Sequence, residues 1–284
     1  MKNISNVAVC GAGAMGAGIA QVFAQQNFLV KLYDTNATQL QKAKSIIEKN
    51  LAVALEKGKI TTTKIAETLE RISFTENLKE VQADLIIEAI VEKLEIKKEL
   101  FQLLAANNSA ETILASNTSS FSITQLAKDI ANPSRVVGLH FFNPAHLMKL
   151  VEIISGAETS AEVVVALKSA MEKVEKTAIV CKDSPGFIVN RVARHYYVES
   201  LKALEENVAS IETIDALMES AGFKMGPFKL MDHVGNDVNF AVTSSLFNSF
   251  HQDSKFRPSR IQQQKVDAGH LGKKTGKGFY NYNS

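Results

Sequence analysis

A histidine and a glutamate interrupt two apolar stretches that otherwise have the composition of buried strands. His140 lies in VVGLHFF and Glu152 lies in LVEII. Titratable side chains are seldom buried without a partner or a chemical task. Oxidation of an alcohol by hydride loss requires a base for the hydroxyl proton, and histidine suits that task when a carboxylate orients it. The two residues are therefore a candidate catalytic pair; a neutral core histidine with satisfied hydrogen bonds is the structural alternative.

Strand-like and helix-like segments alternate through the first half of the chain. The strand patterns are NVAVCGAG, FLVKLYD, ADLIIEAI, TILAS, RVVGLHFF and LVEII. Helical patterns such as AMGAGIAQVFAQQ lie between them, and the stretch 37–69 is expected to be a helix or a helical pair. This alternation predicts an α/β fold with a Rossmann-type, doubly wound and mainly parallel sheet. The connection NPAH can reverse the chain and bring His140 and Glu152 side by side.

The pattern changes before Pro185. The segments that follow, PGFIVNRVARHYYVESLKALEENVAS and IETIDALMES, have helical periodicity, and no comparable strand pattern comes after them. We therefore predict two domains, a Rossmann-type domain over residues 1–183 and an all-α C-terminal domain over residues 184–284. Asp183 or Ser184 is expected to cap a helix that has Pro185 in its first turn.

A glycine-rich segment follows the first strand directly and precedes a helix. Its GxGxxG spacing makes candidates for cofactor binding of Gly11, Gly13, Ala14, Met15 and Gly16. Such glycines allow close approach of the backbone to a pyrophosphate, which the helix N-terminus attracts. Asp34 ends the second strand, where an acidic residue binds the adenosine ribose and disfavours a 2′-phosphate. The pattern favours NAD over NADP; FAD, which uses the same turn, and a packing turn without a ligand stay open.

Short polar side chains follow the later strands, at the sheet edge where ligands bind in such folds. The candidates are, in chain order, Glu92, Lys97, Asn117, Ser119 and Asn143. Helix capping is the alternative for part of this set, and Ser122 with Gln125 fits a capping box. Because those two residues can cap the helix, Asn117 and Ser119 are left for binding.

The composition excludes several classes of protein. The 284-residue chain has a formal net charge of +2 with scattered lysines, so nothing indicates nucleic-acid binding. Its two cysteines form no CxxC motif, which favours a reducing compartment and argues against a disulfide or zinc framework. The N-terminal residues do not have the pattern of a signal peptide, and we expect no membrane span, since no apolar run has the necessary length. We expect a cytoplasmic protein with no metal site and no membrane partner.

The stretch GLHFFNPAHLMKLVEII belongs to a longer series of motifs. The others are VCGAGAMGAGIAQVFA, DLIIEAIVEKLEIKKELF, ETILASNTSSFSI, DSPGFIVNRV, MGPFKLMD and LGKKTGKGFYNY. The series covers nearly the whole chain and resembles the 3-hydroxyacyl-CoA dehydrogenases, of the bacterial 3-hydroxybutyryl-CoA dehydrogenase type. The resemblance implies reversible NAD-dependent oxidation of a (3S)-3-hydroxyacyl-CoA, of short chain such as 3-hydroxybutyryl-CoA, to the 3-oxoacyl-CoA. It also implies a homodimer that forms through the helical domain.

The same resemblance assigns roles to individual residues. It implies that His140 and Glu152 are the catalytic pair, and that Ser119 and Asn190 hydrogen-bond the substrate near its reacting oxygen. The residues that it places at the NAD site are Glu92, Lys97, Asn117, Ser119, Asn143 and Lys274. The residues that it places at the CoA moiety are Ser119, Lys57 and Asn50, the last at a position where the family often has serine. A lysine suits the CoA phosphates as a flexible point charge.

Departures from the family pattern concern the acyl group rather than the reaction. His146 and Leu147 stand where a small or apolar residue is usual, and Gly235-Asn236-Asp237 also differs. His146 is either a group that alters substrate fit or a surface loop residue. Two other functions stay open: a dehydrogenase for a free hydroxy acid, which would not need Lys57, and an idle NAD-binding protein, against which the complete set of candidate residues argues. The sequence carries no clue to the pathway, whether fatty-acid breakdown, butyrate metabolism or another.

Overall fold

The computed structural model describes residues 4–282 and divides into two compact units after Ser184. The strands of the first unit are β1 (Asn6–Cys10), β2 (Leu29–Tyr33), β3 (Ile72–Thr75), β4 (Leu85–Glu88), β5 (Ile113–Ser116), β6 (Val136–Phe141), β7 (Leu150–Ser155) and β8 (Thr177–Lys182). Its helices are α1 (Ala14–Gln25), α2 (Ala37–Glu56), α3 (Thr62–Glu70), α4 (Leu94–Asn107), α5 (Ile123–Ala127) and α6 (Ala161–Lys173). The predicted alternation of strands and helices is confirmed.

A single sheet in the first unit has the strand order β3-β2-β1-β4-β5-β6-β7-β8. Its first six strands reproduce the doubly wound order of dinucleotide-binding domains. Every neighbouring pair is parallel except β6 and β7, which are antiparallel. All residues of β4 and β6 are buried, which explains why their sequences are continuous apolar runs. Polar residues within these runs, such as Glu88 and His140, are therefore inside the core.

Two strands lie outside the predicted set, and the structure decides between the two alternatives for the stretch 37–69. The two strands are β3, which has only four residues, two of them exposed, and β8, which is partly exposed along its length although it contains the apolar run AIVC. The stretch 37–69 is a helical pair, since α2 ends before Gly58, which has φ 64°, and Thr61 caps α3. A left-handed residue of this kind favours glycine and stops a helix.

The predicted helix cap at Asp183 or Ser184 is wrong. Helix α7 begins only at Val189, after Gly186 and Phe187, which have φ values of 72° and 50°. Positive φ at two successive residues is incompatible with a helix. The Asp183 carboxylate instead accepts hydrogen bonds from the Ser122 hydroxyl (2.6 Å) and the Thr124 N–H (2.8 Å), so it stabilises the start of α5.

The second unit is helical, as predicted. Its helices are α7 (Val189–Glu205), α8 (Ile211–Ser220), α9 (Pro227–Val234), α10 (Asn236–Ser249) and α11 (Arg260–Asp267). Leu201, Phe228 and Met231 form the centre of its core. Phe223, by contrast, is largely exposed and stacks on Tyr196. Among the helices of residues 4–282, none has both the length and the apolarity needed to cross a bilayer.

Candidate active site

The glycine loop between β1 and α1 has one open position. A Cβ at Gly11 would lie 2.5 Å from the carbonyl oxygen of Ala89, and a Cβ at Gly16 would lie 1.7 Å from that of Gly11. A Cβ at Gly13 would meet no atom of the described chain within 4 Å. Gly11 and Gly16 are therefore required by the fold itself, whereas Gly13 leaves space of the kind that a pyrophosphate needs.

The first turn of α1 faces the same opening. Gly13 is the N-cap and supplies no side chain, so the turn formed by Ala14, Met15 and Gly16 is capped by no side-chain hydrogen bond. The first N–H groups of a helix have no acceptor within the helix and attract anions. The loop fits the diphosphate of a dinucleotide.

Asp34 follows β2 and is held against the loop. Its Oδ2 accepts a hydrogen bond from the Ala12 N–H (2.8 Å), and its Oδ1 accepts one from the Asn36 N–H (3.0 Å). Each carboxylate oxygen has a second acceptor site. The side chain is therefore fixed in orientation and still able to accept hydrogen bonds from ribose hydroxyls.

A buried ion-pair network lies at the carboxyl ends of β4 and β5. Lys97 is 1% exposed, and its ammonium contacts Glu88 (2.5 Å) and Glu92 (3.0 Å). Glu88 also accepts hydrogen bonds from the Ser116 hydroxyl (2.6 Å) and the Ile90 N–H (2.8 Å). The structure thus places Lys97 beneath the loops; its contact with the cofactor stays a prediction.

Glu92 links this network to the polar loop after β5. Its Oε1 accepts hydrogen bonds from the Thr118 hydroxyl (2.5 Å), the Ser119 N–H (3.1 Å) and the Ser120 hydroxyl (3.0 Å). Burial raises the pKa of Glu92, but Lys97 and these hydrogen bonds outweigh burial and lower the pKa below its ordinary value. The ionised carboxylate therefore fixes the backbone of Ser119.

Asn117 connects the same loop to the strand that carries the histidine. Its Oδ1 accepts a hydrogen bond from the N–H of Phe141 at 2.8 Å. Asn143 is exposed in the connection that leaves β6, two residues beyond Phe141. The polar residues predicted after β4, β5 and β6 thus lie at one edge of the sheet, as the parallel arrangement requires.

His140 and Glu152 face each other across the antiparallel pair of β6 and β7. The distance between His140 Nδ1 and Glu152 Oε2 is 2.8 Å, and the two residues are 6% and 1% exposed. The connection between the strands is held by Lys176, whose ammonium donates to the carbonyl oxygens of Ala145 and Met148, both at 2.7 Å. The reversal that the sequence predicted is present, and the imidazole and the carboxylate are in direct contact.

A lysine-lined cavity of about 570 Å³ lies elsewhere in the first unit. Its cationic lining residues are Lys49, Lys57, Lys59, Lys64, Lys149 and Lys176, and Glu175 supplies a carboxylate. Asn50 also lines the cavity; its Nδ2 donates to Gln21 Oε1 at 3.0 Å and lies 3.5 Å from Nδ1 of His146. Burial, followed by the charge of Lys176, lowers the pKa of His146. The cavity combines positive charge with a size suited to a phosphate-bearing ligand.

The last two predicted site residues belong to the helical unit. Asn190 is the second residue of α7. The ammonium of Lys274 contacts both oxygens of Asp237, at 2.6 and 2.8 Å. This ion pair is partly exposed on both sides, and pairs of this kind contribute little to stability.

Sequence reasoning missed Glu88 and Arg194. Glu88 interrupts an apolar strand pattern in the same way as His140 does, so the signal was present in DLIIEAI. Arg194 lies on α7, where a single arginine in an amphipathic helix gives no signal that it is buried.

The fold and the glycine loop define a class of protein. A doubly wound sheet with an open glycine loop at the start of α1 and a carboxylate at the end of β2 is that of a dinucleotide-binding oxidoreductase. Residues 6–184 match the model of the 3-hydroxyacyl-CoA dehydrogenase NAD-binding domain, and residues 186–282 match the model of the C-terminal domain of the same enzymes. The chain belongs to the 3-hydroxyacyl-CoA dehydrogenase family, and its cofactor is NAD.

Individual relatives agree with the family assignment. The chain is 51% identical to the 3-hydroxyadipyl-CoA dehydrogenase of Escherichia coli over 99% of its own length, and spans 60% of that protein. It is 42% identical to a probable 3-hydroxybutyryl-CoA dehydrogenase of Bacillus subtilis, covering 98% of each chain. A solved (S)-3-hydroxybutyryl-CoA dehydrogenase from Ralstonia eutropha superposes with a TM-score of 0.96 at 36% identity, covering 99% of this chain and 100% of the other.

Proposed function

We propose that this chain catalyses the reversible, NAD-dependent oxidation of (3S)-3-hydroxyacyl-CoA to 3-oxoacyl-CoA. The observation that carries the proposal is the buried contact between His140 and Glu152, in a sheet whose first loop suits a dinucleotide. When bound, NAD supplies the hydride acceptor at its nicotinamide ring. The protein has to supply a base, orientation and binding of the thioester.

His140 is the proposed base. With Nδ1–H donated to Glu152, a neutral imidazole carries its lone pair on Nε2, and this atom takes the proton of the C3 hydroxyl. The imidazolium that results is stabilised by the Glu152 carboxylate at 2.8 Å. In the reverse direction the imidazolium returns the proton to the oxygen of the 3-oxo group. His140 is therefore protonated after oxidation and neutral after reduction.

Ser119 and Asn190 are proposed to position the reacting oxygen. Both side chains can donate a hydrogen bond to an alcohol or carbonyl oxygen. The backbone N–H of Ser119 donates a hydrogen bond to Glu92, which fixes the position of the backbone that carries the hydroxyl group. Holding the oxygen close to the base converts proton transfer into a step within one complex, which is a large source of rate enhancement.

The lysine-lined cavity is the proposed site for the CoA phosphates. Lys57 and Asn50, which were predicted to contact CoA, both line it. Lysines on a cavity wall attract an anionic ligand and strengthen phosphate binding. A free hydroxy acid would make no use of this cavity, so its presence favours the thioester over the alternative substrate.

The names of the relatives give two different acyl groups. The Bacillus subtilis protein is named for 3-hydroxybutyryl-CoA, and the Escherichia coli protein is named for 3-hydroxyadipyl-CoA. Short chains are therefore the proposed range, with 3-hydroxybutyryl-CoA as the reference substrate. We also propose a cytoplasmic homodimer that forms through the helical unit, where exposed apolar side chains such as Leu217 and Phe223 are available; light scattering of the purified chain would test the dimer.

The test is NADH consumption with acetoacetyl-CoA, beside free acetoacetate as the substrate control and NADPH as the cofactor control. We expect rapid NADH loss with the thioester alone. His140→Gln should bind NADH normally and lose turnover, because glutamine cannot take up a proton. The proposal fails if a protein with demonstrated NADH binding leaves the thioester unreduced, and the base assignment fails if His140→Gln keeps most of the activity.

A further inference from the structure

The helical unit buries an arginine without a carboxylate partner. Arg194 lies on α7 and is 4% exposed. Its Nη1 donates to the carbonyl oxygen of Asn239 at 3.2 Å and contacts the Thr243 hydroxyl at 3.1 Å. Its Cζ lies 5.1 Å from the centroid of the Tyr197 ring. The Nε–H has no acceptor among residues 4–282. The guanidinium is thus incompletely hydrogen-bonded and surrounded by neutral groups.

Burial of such a cation is unfavourable. Burial lowers the pKa of Arg194 to about 10, with only the neighbouring Tyr197 acting in the opposite direction. A buried charge without an opposite charge destabilises the fold, and an apolar side chain at the same place would remove that penalty. A guanidinium presents a rigid set of donors that matches a carboxylate. The missing partner is therefore best sought in a ligand that carries a carboxylate.

The position of Arg194 indicates which part of a ligand it would meet. Asn190 and Arg194 are four residues apart on α7, so their side chains project from the same face of the helix and their Cβ atoms are about 5–6 Å apart. The proposed function puts Asn190 at the oxygen on C3 of the substrate. Arg194 lies one helical turn further along this face than Asn190. A group that is a few C–C bonds of about 1.5 Å beyond C3 can therefore reach Arg194. The distal end of the acyl chain is such a group.

We propose that Arg194 selects acyl chains that end in a carboxylate, which makes the CoA thioesters of 3-hydroxy dicarboxylic acids the substrate class of this chain. This inference rests on the proposed function. The carboxylate accepts the Nε–H and neutralises the guanidinium, while the contacts of Nη1 with Asn239 and Thr243 keep the Arg194 side chain oriented. A methyl-terminated chain would leave the charge unpaired and would be the poorer substrate.

The experiment compares two thioesters of equal chain length, 3-hydroxyhexanoyl-CoA and the 3-hydroxyhexanedioyl mono-CoA thioester. We expect the wild-type protein to oxidise the dicarboxylic substrate with a kcat/KM about 10- to 100-fold higher, mainly through a lower KM, as a charge-assisted hydrogen bond predicts. Arg194→Met should abolish that preference and keep the rate with 3-hydroxyhexanoyl-CoA. Arg194→Lys should restore part of it. Arg260→Met removes a charge from an exposed position of the same unit and should leave the ratio of the two kcat/KM values unchanged.

Several outcomes would overturn the inference, and each can be distinguished from a failure of the proposed function. A wild-type protein with equal kcat/KM for both thioesters excludes carboxylate selection, even if no Arg194 variant folds. Equal losses with both substrates in Arg194→Met assign the arginine a structural role. A change in oligomeric state with the preference intact assigns it to a carboxylate of a second copy of the chain. If the wild-type protein oxidises neither thioester and also leaves acetoacetyl-CoA unreduced, the proposed function itself has failed; if it reduces acetoacetyl-CoA but oxidises neither thioester, carboxylate selection is excluded.

Discussion

Replacing Glu152 with glutamine would remove one negative charge from the buried pair and leave the size of the side chain unchanged. His140 Nδ1 and Glu152 Oε2 are 2.8 Å apart, and both side chains are almost wholly removed from solvent. The amide oxygen of glutamine can still accept the Nδ1–H, so the orientation of the imidazole is retained. What the variant loses is the stabilisation of the positive charge that His140 carries after it takes the proton.

The size of that loss follows from the contact. Charge centres about 4 Å apart interact with about 4 kcal/mol at an effective dielectric constant of about 20. If this whole term acts in the transition state, the rate falls about 10³-fold. The hydrogen bond retained by the amide offsets part of the loss, so we expect kcat to fall by about 10²- to 10³-fold.

The assay is reduction of acetoacetyl-CoA by NADH across a range of pH. This direction needs the imidazolium, which is less favoured without the carboxylate, so the alkaline limb of the pH–rate profile should move to lower pH. NADH binding, measured by fluorescence, should be unchanged, because neither residue belongs to the glycine loop. Glu172→Gln, which removes a charge from an exposed position of α6, is the matched control.

One result would refute the reasoning. If Glu152→Gln melts at the wild-type temperature, keeps its kcat within about threefold and shows the wild-type pH–rate profile, the carboxylate does not stabilise a charged His140 in the reaction. Glu152 would then be a buried structural partner, and the general base would have to be sought among other residues.

Two further predictions concern the glycine loop and His146. Gly13→Ala should melt like the wild type but bind NADH weakly, since its Cβ enters only the space proposed for the pyrophosphate. Gly16→Ala should fold poorly, since its Cβ would lie 1.7 Å from the Gly11 carbonyl oxygen. Equal NADH affinity in Gly13→Ala and the wild type would contradict this assignment of the loop. Burial and then Lys176 lower the pKa of folded His146, so the unfolded chain binds the proton first as pH falls below about 6.5. The free energy of unfolding in urea should therefore decrease towards acid pH, and less so in His146→Asn; an identical pH dependence in the variant would exclude His146 as the cause.

The parts of the fold that could be predicted from sequence are those with a strong local signal. The runs that became β1, β4 and β6 are buried on both faces, and burial leaves a continuous apolar pattern. Strand β8 runs along the edge of the sheet and has no fully buried residue, and the short apolar run AIVC within its sequence TAIVCK does not by itself distinguish a strand from a helical segment. The false cap at Asp183 or Ser184 was predicted because proline suits the first turn of a helix, while the positive φ values of Gly186 and Phe187 cannot be recognised from residue type alone.

The candidate site shows the same limit. His140 and Glu152 could be paired from sequence because one short reversal joins their strands. The polar residues after β4 and β5 could be grouped because parallel strands end at one edge. Whether Lys97 faces a ligand or a buried carboxylate depends on Glu88, and the burial of Arg194 depends on packing within the helical unit. The burial of Glu88 has a signal in DLIIEAI, but neither its pairing with Lys97 nor the burial of Arg194 has a local signature in the chain.

The hairpin formed by β6 and β7 also limits how the chain can change by insertion and deletion. Because successive strand residues point to opposite faces, adding or removing one residue in the connection 142–149 would turn Glu152 away from His140 unless a bulge absorbed the change. A change of two residues would keep the face but displace Glu152 by about 7 Å along the strand. An exchange of one residue type for another, for example at position 146, leaves the length of the connection unchanged. The contact between His140 and Glu152 therefore constrains the number of residues in this connection more strongly than it constrains their identities.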